Sequence, residues 1–239
     1  MKEIISIHGE VNGIYGYRRM TMNINIRMKK SYNLKRIYRI MDENNIKSRI
    51  RRKRKNYKYH KPQIVAENIL AREFNSNILD EKWLTDVSEF KITTGDKLYL
   101  SPILDLCSRR IVSYTYGKSN NNDLVFDMLD KAIASHPEAT PLVHSDRGYQ
   151  YTSKGFREKL DAYNATQSMS RPGKCIDNGP MEGFFGILKS EMFYLKKYND
   201  IDDLKNDIDK YILFYNNNRY QKNLKNLSPN QYKEQILSA

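Results

Sequence analysis

Cysteine and histidine are scarce in this chain: two of the first, Cys107 and Cys175, and four of the second among 239 residues. That excludes a Cys-rich zinc finger and a disulfide scaffold, and leaves both thiols as packing groups in a reducing compartment. No run of 18 apolar residues occurs, and the amino-terminal stretch has no signal-peptide apolar segment. The sequence therefore predicts no membrane span and a soluble, cytoplasmic protein. Acidic residues are scarce too, but at one end only. Residues 1–62 hold 18 Lys+Arg against 4 Asp+Glu, whereas residues 63–239 hold 23 against 24. The whole formal excess of +13 is thus amino-terminal. A near-neutral body with a basic arm suits a phosphate-tracking protein, because Lys and Arg displace the counterions condensed on a nucleic acid. Charge alone leaves a ribosome or a membrane surface open as the partner.

What is present falls into four stretches. Residues 1–62 form a basic helical, helix-turn-helix-like region with three short helices over residues 3–45. The third puts Leu34, Ile37, Tyr38 and Met41 on one face and Lys35, Arg36 and Arg39 on another, as suits a helix laid on DNA or the solvated face of a helical bundle. Beyond it, Arg51, Arg52, Lys53, Arg54 and Lys55 open a run of one sign, interleaved with Tyr57 and Tyr59, that stays extended until it meets a polyanion. Residues 63–79 read as a connector with a short helix, AENILAREF. From 80 to 198 the pattern turns to strands: one from Trp83 to Phe90, an almost wholly apolar one from Leu98 to Leu106, a third from Ile111 to Tyr116, then a helix from Asn122 to Ser135. A strand at 141–145, a helix near 152–163, a short strand near 165–168 and a last helix from Pro180 complete the order βββαβαβα. Residues 199–239 give a carboxy-terminal helix from Ile201, with Asp202 and Asp203 in its first turn where the helix dipole favours acids, and a polar tail that wraps the surface.

Three acids stand out along these elements. Asp86 lies in WLTDVSEF, Asp146 follows the apolar run Pro141-Leu142-Val143, and Glu182 starts the last helix of the core. That helix buries Met181, Phe184, Phe185 and Leu188, with Met192 and Leu195 on the same stripe. Asn178, Glu182, Gly186 and Lys189 fall on a different one. Glu182 therefore faces away from the core, and Lys189 is placed to touch a DNA phosphate beside it. Either Asp177 or Asn178 suits the cap, and Pro180 the first turn. Asp105 is a rival ligand to Asp86, or a partner for Arg109. The loop from Ser168 to Cys175 carries Arg171 and Lys174, which serve as DNA contacts or as plain surface charge.

The order Asp86, Asp146, Glu182, with 59 and 35 residues between them, resembles the DDE signature of the retroviral-integrase superfamily. The element order resembles the ribonuclease-H-like fold, an α/β integrase catalytic core whose first and fourth strands lie side by side. More specifically, the blocks IYGYRR at 14–19, KRIYRIM at 35–41, HSDRGYQY at 144–151, QSMSRPGKCIDN at 167–178, EGFFGILKSE at 182–191 and YNNNRYQKNLKNLSPNQY at 215–232 resemble the second-frame (OrfB) transposases of the insertion-sequence-three family, nearest its IS-one-fifty-like branch. Gly179 and Gly183 stand where that family usually has Ala and Ser or Cys.

The resemblance implies a DNA transposase in which Asp86, Asp146 and Glu182 are the catalytic residues and bind two Mg2+ ions, with Mn2+ as a substitute. Two such metals stabilise the attacking and leaving oxygens of an in-line displacement, and oxygen ligands suffice for them. It implies element ends and target DNA as partners, a homo-oligomer on DNA, and the upstream-frame OrfA product or an OrfAB fusion as supplier of the main end-recognising domain. It also implies a nucleoid-associated location and a shortened amino terminus, since relatives carry a further helical segment before IYGYRR. A truncated, non-catalytic DNA-binding regulator is the alternative; the intact triad favours the enzyme.

Overall fold

The computed structural model describes residues 1–50, 66–171 and 175–238. Three helices open the chain, α1 (Lys2–Glu10), α2 (Tyr17–Met28) and α3 (Leu34–Glu43). Ile7, Tyr15, Met20, Ile24, Ile37 and Met41 close a small core of their own. The α1–α2 turn needs Gly13: its φ is +73°, and a Cβ there would fall 2.9 Å from the Arg49 side chain. The sequence places Leu34 and Tyr38 in this core, yet they are 46% and 52% exposed. The helix packs along the single line Ile37–Met41, and Tyr38 stands edge-on to Tyr17 at 5.2 Å between centroids.

The body is a mixed sheet built from β1 (Lys82–Thr85), β2 (Ser88–Lys91), β3 (Lys97–Asp105), β4 (Ile111–Gly117), β5 (Leu142–Ser145) and β6 (Thr166–Met169). Its order is β4-β3-β1-β5-β6, with β2 continuing beside β3. β5 is parallel to both β1 and β6, and the other pairs are antiparallel. The single strand expected at 83–90 is interrupted at Asp86 and Val87. The register on β3 nonetheless runs straight on, Thr85 opposite Ile103 and Ser88 opposite Leu100. The break falls across from Pro102, which has no N–H to give to a ladder.

Helices cover both faces. α4 (Asn122–Ser135) and α5 (Lys154–Ala162) pack on Trp83, Ile103 and Val143. α6 (Gly179–Glu191) and α7 (Ile201–Asn218) pack on Leu84, Leu100 and Leu104. Each large apolar side chain buried in these layers, Phe184 for example, contributes about 1.5–3 kcal/mol. α6 stops at Glu191, a turn before its apolar stripe runs out, and Phe193–Leu195 continue as a 3-10 turn. The tail is more ordered than its polarity suggests: α8 (Pro229–Leu237) starts at a full capping box of Ser228 and Gln231. The helix expected within 63–79 is absent among the described residues. Ala71 and Arg72 both have positive φ, 47° and 68°, which no right-handed helix accommodates. The segment instead runs along β6, where the Leu70 N–H donates to Ser168 Oγ and the Met169 N–H donates to the Glu67 carbonyl.

Candidate active site

Strand register brings the first two acids together. On β1 and β5, Lys82 lies beside Leu142, Trp83 beside Val143 and Leu84 beside His144. Two steps on along both strands come Asp86 and Asp146, each just past its strand's carboxyl end. Side chains alternate between faces along a strand. Leu84 faces α6 and Trp83 faces α4, so Asp86, two residues after Leu84, leaves the sheet on the α6 side. Asp146, two after His144, leaves on the same side as His144. Both carboxylates are oriented through one oxygen. Asp86 Oδ1 accepts from the Val87 N–H and Asp146 Oδ1 from the Gly148 N–H, both at 2.8 Å. A Cβ on residue 148 would sit 3.1 Å from that Asp146 oxygen and 2.8 Å from Gln150 Oε1, so a side chain there would press on both.

Glu182 lies in the first turn of α6, exposed to solvent. Desolvation, then the neighbouring Asp146 charge and more weakly that of Glu182, push the Asp86 carboxyl up to about 8; a Val87 hydrogen bond and Lys189 oppose them. Asp146 is also raised, by the protein around its inner side, although its outer side is open to water. An acid pair held at this cost is a donor set suited to a hard cation. Glu182 adds to the field at Asp86. Among the described residues no three of His, Cys, Asp or Glu are gathered closely enough to enclose a metal ion.

Two models of the integrase core domain match residues 77–175 and 182–237, and a model of an HTH-like domain matches residues 1–54. The InsK transposase of insertion sequence element IS150 from Escherichia coli K12 is 40% identical over 237 residues, which cover 98% of this chain and 82% of that protein. The chain belongs to the insertion-sequence transposases with an integrase core. A transposase-like protein from Haemophilus influenzae is 38% identical over 91% of the chain and 100% of its own length. The fold is that of the HTLV-2 integrase catalytic core domain, solved in complex with magnesium, with a TM-score of 0.54 at 20% identity over 66% of this chain and 99% of that one. The transposase is thus an enzyme of the DDE polynucleotidyl transferase class. No helix among its described residues is long and apolar enough to cross a membrane.

The other candidate residues of the transposase have mixed placements. Lys189 is beside the acids, but its ammonium donates to the Glu89 carbonyl at 3.0 Å and lies 4.8 Å from the centre of the Phe90 ring. Burial lowers its pKa, against the pull of Glu89 and Asp86. Arg171 is engaged elsewhere, in a bidentate pair with the buried Asp177 at 2.9 and 2.8 Å. Lys35, Arg36 and Arg39 line one exposed concavity of α3 together with Asn33. Within it Arg36 lies over the Tyr32 ring and Arg39 pairs with Glu43 at 3.6 Å. Arg51, Arg52, Lys53, Arg54, Lys55 and Lys174 lie outside the described residues. Asp105 is no rival ligand: it sits beside the start of β1, three residues from Asp86's end of the strand. Its carboxylate accepts from the Asp80 N–H and from the N–H and hydroxyl of Ser108, so it fastens a turn and leaves Arg109 to the Phe74 carbonyl.

Three arrangements escaped the sequence reading. His144, fully buried, shares hydrogen bonds with Ser168 Oγ at 2.9 Å and Ser170 Oγ at 3.1 Å, stitching β5 to the β6 end. Burial pushes its pKa down to about 4, so it is neutral. Asp177 gathers Arg171, Arg72 and Asn68. Glu191, at the far end of α6, accepts from Arg19 at 2.6 Å, from Arg219 at 2.9 Å through both oxygens, and from the Tyr211 hydroxyl at 2.8 Å. Arg19 was visible only as part of the IYGYRR block. Periodicity marks which positions are inside and says nothing of which polar groups meet there.

Proposed function

We propose that Asp86, Asp146 and Glu182 are the catalytic carboxylates of this transposase and hold two divalent cations, Mg2+ with Mn2+ as a substitute. The observation that carries this is the parallel β1–β5 register, which sets Asp86 level with Asp146 on the side covered by α6. When bound, such ions supply Lewis-acid stabilisation of charge at the attacking and leaving oxygens. The chain's own residues do the rest. Val87 and Gly148 orient the two aspartates, and Glu182 comes from the first turn of α6.

In strand transfer a 3′ hydroxyl oxygen forms a new bond to a target phosphorus, the opposite P–O bond breaks, and the hydroxyl proton passes to solvent. Cleavage at the element's 3′ end follows the same displacement with water as nucleophile. Lys35, Arg36 and Arg39 on α3, the run from Arg51 to Lys55, and Arg171, Lys174 and Lys189 are the proposed DNA contacts. Of these Arg171 has first to leave Asp177. The proposed layout keeps 1–62 for DNA binding, 63–79 as connector, 80–198 as core and 199–239 as its carboxy-terminal brace. The upstream-frame OrfA product or OrfAB fusion, and further copies of the chain, complete the assembly on DNA in the nucleoid.

The test uses a branched oligonucleotide that already presents a 3′ hydroxyl, with Mg2+ or Mn2+, and either the wild-type chain or Glu182→Gln. Metal-dependent joining by the wild type that is lost in the variant supports the reading. Joining retained by Glu182→Gln removes that residue from the site. Binding without joining by both points to a DNA-binding regulator instead.

A further inference from the structure

Asn178 stands immediately before α6, where a helix cap belongs, and it does not cap. Its side chain makes no bond to the free N–H groups of the first turn. It turns into the protein, only 3% exposed, and Nδ2 donates at 3.0 Å to the carbonyl oxygen of Thr85. Withholding a good cap costs the helix about 1 kcal/mol. Asp177, the other candidate cap, is withheld as well by its ties to Arg171, Arg72 and Asn68. The start of α6 is thus fastened by tertiary bonds in place of its own cap.

The two ends of the Asn178 bond are informative. Thr85 directly precedes Asp86 in the chain, and its hydroxyl is fixed in turn by the buried Tyr151 hydroxyl at 3.2 Å. Asn178 directly precedes α6 and lies four residues before Glu182, a distance of about one helical turn. One hydrogen bond therefore links the strand that carries Asp86 to the helix turn that carries Glu182.

We propose that Asn178 is a positioning residue that sets the spacing between Glu182 and Asp86, and with it the affinity of the acid site for divalent cations. The proposal rests on the reading of the three acids given above. A bond whose only role was to stabilise the fold would be replaceable by a cap of equal strength. A bond that sets the acids would not, because loosening α6 by a fraction of an ångström moves a carboxylate relative to its neighbours.

Asn178→Ser separates these cases. Serine is as good a cap as asparagine, so the helix start is kept, but its short side chain does not reach the Thr85 carbonyl. The experiment titrates Mn2+ alone into the full chain by calorimetry, with and without the branched oligonucleotide, and follows joining against Mn2+ concentration. Wild type, Asn178→Ser, Asn178→Ala, Glu182→Gln and the packing control Leu188→Ala are compared, and each melting temperature is recorded.

Asn178→Ser is expected to keep its melting temperature and to bind Mn2+ roughly 10-fold or more weakly, the loss usual for residues that orient metal ligands. Its half-maximal joining should move to correspondingly higher Mn2+, with joining recovered at saturation. Leu188→Ala should melt earlier with unchanged Mn2+ affinity. Should Asn178→Ser misfold, Asn178→Ala compared with Leu188→Ala at matched distance below the melting point gives the same discrimination. Wild-type Mn2+ affinity in the folded Asn178 variants overturns the proposal. Unchanged Mn2+ binding and joining in Glu182→Gln, or no Mn2+ binding by the wild type in either format, overturns the reading of the acids themselves.

Discussion

Two glutamates on one helix meet opposite fates. Glu182, in the first turn of α6, is exposed and takes part in none of the ion pairs among the described residues, and its charge bears on Asp86. Glu191, at the last position of the same helix, has a side chain only 2% exposed and is enclosed by Arg19, Arg219 and the Tyr211 hydroxyl. The Arg219 side chain is itself 1% exposed. Burial would raise the Glu191 carboxyl, but the two guanidiniums outweigh it and hold it below its ordinary range. One helix thus carries an exposed carboxylate at its first turn and a buried, paired one at its last. The paired one is an anchor that draws on α2 through Arg19 and on the segment after α7 through Arg219. The first helices and the core are joined at this point, with the Tyr15 hydroxyl adding a bond to the Asn218 carbonyl at 3.3 Å.

Removing the charge of each glutamate in turn should separate the two ends of α6. Glu182→Gln should lower joining by about 1,000-fold or more, equivalent to about 4 kcal/mol of barrier. Its urea midpoint should stay at the wild-type value, since the residue packs against nothing. Glu191→Ala should do the reverse to stability: removing one partner strands Arg219 in the interior, and such breaks cost about 3–5 kcal/mol. Urea denaturation of the two variants side by side decides this. Equal midpoints would mean that the two ends of α6 do not differ as described.

The contrast was only half legible in the sequence. Glu182 could be placed because apolar periodicity assigns Met181, Phe184, Phe185 and Leu188 inward and so leaves it outward. Asp146 could be placed at a strand end because the apolar run Pro141-Leu142-Val143 precedes it, whereas Asp86 read as interior to a single strand from 83 to 90. Their common register was not readable from either strand alone, since parallel pairing is fixed by the whole sheet. Glu191 falls at the edge of the apolar stripe, three residues after Leu188 and seven after Phe184, but its partners were not readable there, because Arg19 and Arg219 arrive from 172 and 28 residues away. Asp177 and Asn178 were recognised as capping types, but their tertiary partners outcompeted the cap. The expected helix at AENILAREF failed for a related reason. Local propensity favours it, while Leu70 is worth more in the core against β6, and the backbone turns through Ala71 and Arg72 to put it there.

Acid should act on the paired end through Glu191. A carboxyl whose pKa is lower in the folded than in the unfolded state stabilises the fold above its unfolded value, here near the ordinary glutamate value of 4.5. That contribution is lost as pH falls through the depressed folded value. Wild-type stability should therefore drop on acidification below about 4.5 more steeply than that of Glu191→Gln, whose residue 191 does not titrate. Parallel stability profiles for the two proteins between pH 6 and 3 would show that the cluster contributes nothing to acid lability.

The smallest effects lie between the two ends, at Gly183 and Gly186. A Cβ at either position meets nothing within 4 Å, so alanine fits without moving a neighbour. Each replacement should stabilise α6 by up to about 1 kcal/mol, because glycine in a helix interior loses more backbone entropy than alanine. For a chain of this length that is roughly 2–4 °C in melting temperature. Function should separate them. Gly183 is a full 100° round the helix from Glu182, whereas Gly186 lies one turn along the Glu182 face, toward Lys189. Gly183→Ala should join DNA at the wild-type rate. Gly186→Ala should gain the same stability and lose joining, if the face from Glu182 to Lys189 is where the DNA backbone lies against α6. Equal rates in the two variants would place the DNA on another side of the helix, and would make Lys189, already tied to the Glu89 carbonyl, a brace for α6 in place of a contact.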